Sequence, residues 1–301
     1  RFFGKLILSL FAILTILSLL GFFFFVRPEL NRLRKSANEK LAGSNLKDLT
    51  KRSDTLVLDY EGKTLGTINA GHFVYDSIDQ ISPNLQHAYI AQEDRKFMSH
   101  HGVDYKATLR AFLQLLKNRG KITQGGSTIT QQVVKNTFLS SERTYARKIV
   151  EIILAQELEK KYSKEDIMEI YCNTNFYGNN CYGVEAASQY YFDKSAKDLT
   201  VDEAATLAGI SNAPSRYEPV RHPDRAEKKR NQVLKSMQIV GYLSASEYEK
   251  AVSAPLQISK NSQKSTDEDY LNSYALYAAT IRMMEVNHFP FTYHFANQTE
   301  K

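Results

Sequence analysis

Three segments of this 301-residue sequence combine acids, hydroxyls and cations at spacings that could do chemistry. In the first, residues 93–102 (EDRKFMSHHG), the adjacent acids Glu93 and Asp94 precede an aromatic residue and a His-His-Gly turn. Metal binding by His100 and His101 is the weaker interpretation, because neighbouring side chains point apart, unlike the i, i+4 histidines of a zinc helix. Ordinary polarity at a helix terminus is the stronger one.

In the second segment, residues 124–135 (QGGSTITQQVVK), Gly125, Gly126 and Ser127 offer free backbone N–H groups at the start of a predicted helix, where phosphate oxygens bind favourably. Polar residues then recur at i, i+3, i+4 and i+7, which places them in one stripe: Thr128, Gln131, Gln132 and Lys135. Taken alone, the segment favours a simpler reading, in which Ser127 is an N-cap and the stripe faces solvent. It lacks the spacing of a P-loop.

The third segment, residues 141–162 (SERTYARKIVEIILAQELEKKY), places Arg147 and Lys148 four and three residues before Glu151, one helical turn away. A surface ion pair of this kind would contribute only about a few tenths of a kcal/mol. By itself the segment indicates nothing more than a charged helix.

Together the three segments supply two carboxylates, Glu93 and Glu151, and a group of cations that includes Arg143. Glycosyl transfer from a pyrophosphate donor needs this combination. One acid accepts the proton of the attacking hydroxyl, and positive charge stabilises the leaving diphosphate.

The elements that must position these groups are mainly helical. Residues 83 to about 252 show helical periodicity, with Asp104 predicted to cap a helix and Gly120 to end it. Capping-box patterns begin at Ser163, Thr200 and Ser244. Before this region, residues 55–68 alternate as a β-hairpin with a turn at Glu61-Gly62.

An uncharged apolar run at residues 6–26 is long enough for one helix to cross the ~30 Å hydrocarbon core of a bilayer. No small-residue cleavage site follows directly, so the run predicts a signal anchor. The net charge of +6 suits anionic headgroups or anionic substrates, and nucleic acid is the weaker option. Cys172 and Cys181 are too few for a disulfide framework or a zinc site.

These residues resemble the peptidoglycan glycosyltransferase family, which occurs in class A penicillin-binding proteins and in monofunctional transglycosylases. The similarity covers roughly residues 76–258. It rests on the family patterns EDxxFxxHxG at 93–102, GGSTITQQ with a following lysine at 125–135, RKxxE at 147–151, YxN at 171–173 and LAGxxxAPSxYxP at 207–219.

The resemblance implies a lysozyme-like, mostly helical fold outside the cytoplasmic membrane that acts on lipid II. Glu93 would be the general base, and Glu151 would assist departure of the polyprenyl pyrophosphate, directly or through a divalent cation such as Mg or Mn. No organic cofactor is expected. The implied substrate-binding residues are Asp94, Phe97, Gly126, Ser127, Thr128, Gln132, Lys135, Arg143, Arg147 and Lys148.

The implied organisation is a cytoplasmic tail at 1–5, a transmembrane anchor at 6–26, a linker with the hairpin at 27–75, the glycosyltransferase domain at 76–258, and at 259–301 a linker leading into a C-terminal region. The expected partners are lipid II, the growing lipid-linked glycan strand, the cytoplasmic membrane, and cell-wall synthesis or division proteins. Nucleic acid is not among them.

Two positions depart from the family pattern. Val150 stands where a lysine often precedes the second acid, and Asp193 replaces the glycine of a YFGK turn, where aspartate tolerates a left-handed conformation. Two alternatives stay open. One is a lysozyme-like hydrolase or lytic transglycosylase that uses Glu93 as an acid, and the other is an inactive membrane-anchored scaffold.

Overall fold

The computed structural model describes residues 2–43, 45, 49–50, 55–58, 64–68, 72–118, 126–139 and 145–259, with single residues at 278, 281, 282 and 286. Its described part is mainly α-helical, as the periodicity predicts. In chain order the elements are α1 (Phe2–Gly21), a π-helical turn (Phe22–Val26), α2 (Arg27–Ala42), β1 (Thr55–Leu58), β2 (Thr64–Ile68), β3 (His72–Phe73), α3 (Pro83–Glu93), α4 (Tyr105–Lys117), α5 (Ile129–Phe138), α6 (Tyr145–Lys161), α7 (Lys164–Thr174), β4 (Cys181–Tyr182), α8 (Val184–Phe192), α9 (Val201–Asn212), α10 (Pro214–Tyr217), α11 (Pro223–Val240) and α12 (Ala245–Ser253).

The chain forms two compact units. The first comprises Arg1–Thr50 and Tyr89–Thr174, and the second comprises Lys51–Ala88 and Asn175–Lys301. All three segments singled out in the sequence belong to the first unit. The predicted linker and the helical pattern beyond residue 259 lie mostly outside the described residues.

In the first unit, α1, the π-helical turn and α2 form one continuous helical run. It contains one helix that is long and apolar enough to cross a membrane, judged by length and composition within the described residues. The run ends at Ala42, with Gly43 as its C-cap residue. Near its end, Ala37 and Leu41 are buried where α2 packs on α6, and the Lys161 ammonium donates a hydrogen bond to the Leu41 carbonyl.

The core of the first unit forms where α5 packs against both α6 and α7. Its buried apolar side chains include Val133, Leu154, Leu158 and Ile167. At the start of α4, the Asp104 carboxylate accepts a hydrogen bond from the Ala107 N–H at 3.0 Å, which confirms the predicted cap. The predicted helix end at Gly120 lies outside the described residues.

In the second unit, β1 and β2 pair antiparallel and confirm the hairpin, although its turn lies outside the described residues. A second pairing was not predicted: β3 and β4 align parallel over two residues each. Strands this short leave no alternation in the sequence. Cys181 in β4 is buried, forms no disulfide with Cys172, and burial raises the pKa of its thiol to about 12.

The helix termini confirm the local predictions. The capping boxes at Ser163, Thr200 and Ser244 each form their reciprocal hydrogen bonds. Asp193 follows α8 with φ 57° and ψ 38°, and its N–H donates to the Gln189 carbonyl. The left-handed conformation predicted for this substituted glycine position is therefore present.

A pair of carboxyl groups joins two parts of the second unit. Burial raises the pKa of Asp76 to about 7, and the negative charge of Glu185 adds to the rise. Burial acts to raise the pKa of Glu185 as well, but hydrogen bonds from the Ala196 N–H at 2.6 Å and the Gln189 amide at 2.9 Å outweigh it and lower that pKa. Asp76 is therefore the member of the pair that holds the proton.

We predict that Asp76→Asn makes thermal stability less dependent on pH. Because folding raises the pKa of Asp76 from 3.8 to about 7, its contribution to stability is complete below 3.8 and is lost as the pH rises through 7. The asparagine amide still donates to Glu185 but does not titrate. The variant should melt higher than wild type at about pH 8, with the difference shrinking toward about pH 5. A difference in melting temperature between the two proteins that stays constant across this pH range would contradict the assignment of the proton to Asp76.

Candidate active site

The first acid, Glu93, lies at the C-terminal end of α3 and is paired with α5. Its Oε2 accepts a hydrogen bond from Gln132 Nε2 at 3.0 Å. Glu93 is only partly buried, so its carboxylate is open to a reacting group while a neutral donor holds its orientation. This is the arrangement that a general base requires.

The neighbouring acid, Asp94, is buried and faces the interior. Its Oδ2 accepts hydrogen bonds from His100 Nε2 at 2.7 Å and from the Ile129 N–H at 3.1 Å. The second contact gives the Ile129 N–H, which has no partner within the helix, a hydrogen-bond acceptor. The negative charge of the carboxylate also interacts favourably with the dipole at this end of α5. Asp94 therefore joins the segment that carries Glu93 to the start of α5.

Phe97 and Gly102 complete the interior of this segment. The Phe97 ring is 1% exposed, and the Lys164 ammonium lies over it at 4.6 Å from the ring centroid. Gly102 has a φ of 86°, and a Cβ atom there would lie 2.6 Å from the Ala155 carbonyl oxygen. Its own carbonyl accepts a hydrogen bond from the Thr128 hydroxyl at 2.7 Å.

The start of α5 differs from the prediction in two ways. Its N-cap is Thr128 and not Ser127: Thr128 and Gln131 form a capping box and both are buried, so the predicted polar stripe is not one solvated face. The N–H groups of Thr128, Ile129 and Gln131 are also already donated within the protein. These contacts lie beyond the Gly125-Gly126-Ser127 turn, of which Gly125 is outside the described residues, so phosphate binding by the N–H groups of that turn stays a prediction.

The second acid, Glu151, lies on α6 and is 3% exposed. Lys148, one turn earlier, contacts the Glu151 carboxylate and also donates to Ser127 Oγ at 2.9 Å. The predicted pairing of Lys148 with Glu151 is confirmed. Ser127, Lys148 and Glu151 thus form a chain of polar contacts from the segment before α5 to the second acid.

The remaining predicted site residues occupy different surroundings. Gly126 lies against α4, where a Cβ atom would be 2.8 Å from Ala111 Cβ. Lys135 is exposed on α5, and Arg147 is partly buried in the first turn of α6. Arg143 lies outside the described residues. Substrate binding by the predicted residues stays a prediction, although the side chains of Asp94, Phe97 and Thr128 are visibly used in contacts within the protein.

The site offers limited support for a resident metal ion. Within the described residues, no group of three or more His, Cys, Asp or Glu side chains is placed to hold one. Glu151 already contacts the Lys148 ammonium. Mg²⁺ often binds through one or two carboxylates together with substrate phosphates and water. The donors therefore fit a cation that arrives with a phosphorylated substrate better than one held by the protein alone.

Sequence reasoning missed one part of the site. The buried carboxylate of Glu159 on α6 accepts hydrogen bonds from Lys164 Nζ at 2.6 Å and Thr130 Oγ1 at 2.5 Å. It also lies 3.6 Å from His100 Nδ1. The sequence gives only a weak indication that Glu159 is buried. Its position two turns after Glu151 and five residues before Lys164 is equally typical of an acid at an exposed helix end.

Comparisons with known proteins identify the family to which these three segments belong. A family model described as Transglycosylase matches residues 61–238, a range that contains all three segments. Penicillin-binding protein 1A of Aquifex aeolicus is 44% identical over 221 residues, which cover 73% of this chain and 30% of that protein. Penicillin-binding protein 1F of Bacillus subtilis is 40% identical over 228 residues, covering 76% and 32%. Penicillin-binding protein 1A of Pseudomonas aeruginosa is 45% identical over 183 residues, covering 61% and 22%. The chain thus spans about a third or less of the length of these relatives.

We predict that Gly102→Ala destabilises the first unit by about 2 kcal/mol or more, because a side chain there must adopt positive φ and meets the α6 backbone. The matched control is Gly43→Ala, which has negative φ and no neighbouring atom within 4 Å of the new Cβ. Its effect should stay within about 0.5 kcal/mol. Denaturant unfolding of both variants in detergent measures the difference, and equal stabilities would contradict the close approach.

Proposed function

Because the chain belongs to the transglycosylase family, we propose that it is a peptidoglycan glycosyltransferase that polymerises lipid II into glycan strands for cell-wall synthesis. The main observation behind this proposal is that one short segment, residues 127–132, is hydrogen-bonded to Glu93 and, through Lys148, to Glu151. Gln132 donates to Glu93, and Ser127, five residues earlier, joins Lys148 beside Glu151.

In the proposed reaction, Glu93 accepts the proton of the 4-hydroxyl of the acceptor sugar. The oxygen attacks the anomeric carbon of the lipid-linked donor and forms the new glycosidic bond. The bond from that carbon to the phosphate oxygen breaks, and its electron pair leaves with the polyprenyl pyrophosphate. Attack opposite the leaving group inverts the anomeric configuration. Glu93 suits the base role because it is partly exposed and is oriented by a neutral amide.

Lys148 is the cation best placed to serve the leaving group. Its ammonium is shared between Ser127 and Glu151, and its side chain is 40% exposed, so it can also meet an incoming diphosphate. Glu151 then keeps the ammonium in place as charge develops on the phosphate oxygen. Arg147 and Lys135 add positive charge, whereas Val150 contributes none.

A divalent cation, Mg²⁺ or Mn²⁺, fits this scheme as a co-substrate of the diphosphate. When bound, it would neutralise charge on the leaving group, and Glu151 would be its carboxylate ligand from the protein. Because Glu151 is also held by Lys148, the ion and the ammonium would share one carboxylate. No organic cofactor is part of the proposal.

We place the active site outside the cytoplasmic membrane, anchored by the apolar N-terminal helix. The exposed apolar side chains between Phe11 and Val26 suit a lipid environment, and both substrates are lipid-linked. Residues 1–5 would then be cytoplasmic. The proposed partners are lipid II, the growing lipid-linked strand, and cell-wall synthesis or division proteins.

We predict that Glu93→Gln abolishes polymerisation of lipid II while the fold is kept, since glutamine preserves size but cannot accept the proton. The measurement is polymer formed by the purified full chain in detergent with divalent metal. Glu165→Gln, at an exposed position at the start of α7, is the matched control and should polymerise as wild type does.

Each outcome of that experiment has one meaning. If wild type forms no polymer, the polymerase proposal fails. If Glu93→Gln polymerises normally, the base assignment fails. Shortening of preformed peptidoglycan by wild type, without polymer synthesis, would instead favour a lysozyme-like hydrolase or lytic transglycosylase. Inactivity in both assays would favour a membrane-anchored scaffold.

We predict that Lys135→Ala weakens use of the lipid-linked donor without a matching loss of stability. Lys135 is exposed on α5, where truncation should change stability by no more than about 0.5 kcal/mol. Loss of a cation that contacts a diphosphate should lower kcat/KM about tenfold or more. Melting temperature and kcat/KM are measured on the same preparation. A proportional loss of both would show that Lys135 serves the fold.

A further inference from the structure

We propose that Glu159 is a positioning residue for the reaction: through a buried network with His100, Lys164 and Asp94, it fixes the start of α5 and thereby the partners of both reactive acids. This inference rests on the proposed glycosyltransferase function. Glu159 lies two turns beyond Glu151 on α6, where its carboxylate contacts Thr130, Lys164 and His100.

Two buried carboxylates hold the first turn of α5. Asp94 Oδ2 accepts the Ile129 N–H at 3.1 Å, and Glu159 Oε1 accepts the Thr130 hydroxyl at 2.5 Å. Consecutive residues of the helix are thus anchored to the segment after α3 and to α6. An α-helix fixed at two adjacent residues can neither rotate about its axis nor slide along it without breaking one of these bonds.

His100 joins the two carboxylates. Its Nε2 lies 2.7 Å from Asp94 Oδ2, while its Nδ1 lies 3.5 Å from Lys164 Nζ and 3.6 Å from Glu159 Oε1. An ammonium can only donate, so we assign Nδ1 as the acceptor and Nε2 as the nitrogen whose hydrogen is given to Asp94.

Lys164 makes the burial of Glu159 tolerable. The side chains of Glu159 and His100 are 5% and 6% exposed, and a buried carboxylate is costly unless a cation and hydrogen bonds compensate it. Lys164 provides the charge, and its ammonium also lies over the Phe97 ring. Asp94, His100, Glu159 and Lys164 therefore belong to one buried network, which ties α5, α6 and α7 together.

The network acts on the chemistry through α5. Ser127, just before the helix, contacts Lys148 beside Glu151, and Gln132 in its first turns contacts Glu93. A small rotation of α5 would shift both contacts at once. Misplacement of reacting groups by about 1 Å can cost about a hundredfold in rate, so loss of the network should reduce turnover more than substrate binding.

Glu159→Gln in the full chain tests the proposal, because glutamine keeps the size and removes the charge that holds Lys164. We expect kcat for lipid II polymerisation, per folded molecule, to fall about tenfold or more, with KM within about twofold. Glu165→Gln is the matched control and should leave both unchanged. Hydrogen exchange at the amides of residues 129–132 should become faster in Glu159→Gln only, which is a readout independent of activity.

Thr130→Val covers the case in which Glu159→Gln folds poorly. Valine keeps the shape of threonine and removes only the hydroxyl that reaches Glu159, whose charge stays paired with Lys164. The melting temperature should therefore fall by no more than the loss of one hydrogen bond allows, and kcat per folded molecule should fall about threefold. A kcat per folded molecule equal to wild type in both variants would overturn the positioning role, and so would unchanged exchange at residues 129–132. If wild type makes no polymer, the proposed function fails, while the exchange result still decides on the network.

Discussion

The buried start of α5 is the constraint on which the rest of the site depends. A helix begins with N–H groups that have no partner within the helix, and burial without partners would cost roughly 1–3 kcal/mol for each group. Here Thr128 and Gln131 satisfy one another's backbone, and Asp94 accepts the Ile129 N–H. Because the Ile129 N–H finds its acceptor in Asp94, the segment after α3 packs against the start of α5. Glu93, the residue before Asp94, therefore also lies beside α5.

This constraint explains why the EDxxFxxHxG pattern contains more residues than the proposed reaction uses. In the proposed reaction, Glu93 is the residue of this pattern that acts on the substrate. Asp94 and His100 serve α5 and the buried network, Phe97 fills the interior beneath Lys164, and Gly102 allows the chain to pass against the α6 backbone. A single reactive acid thus requires several residues that fix its surroundings. The ten residues of the pattern run from Glu93 at the end of α3 to Gly102, which lies against Ala155 on α6.

The sequence allowed prediction where the determinants are local. The helical periodicity, the hairpin, the three capping boxes and the left-handed Asp193 each depend on a few neighbouring residues, and the structure confirms them. The pairing of Lys148 with Glu151 is one helical turn and was equally visible. The parallel pairing of β3 with β4 and the burial of Glu159 depend on contacts between distant segments. No spacing in one segment could reveal them. The N-cap was misassigned to Ser127 because the choice of Thr128 depends on Gly102 and Asp94, which lie far back in the chain.

The packing of α2 on α6 sets the distance between the proposed membrane anchor and the active site. Ala37 and Leu41 are buried against the helix that carries Glu151, and α2 continues without a break from the apolar run. From Val26 to Ala37 an α-helix rises about 16 Å. In the proposed membrane-anchored arrangement, this stretch is a rigid spacer and not a tether. Its length is counted in helical turns, so one added residue would rotate the docking face by about 100° and withdraw Leu41 from α6, whereas seven added residues would keep the face and raise the site by about 10 Å.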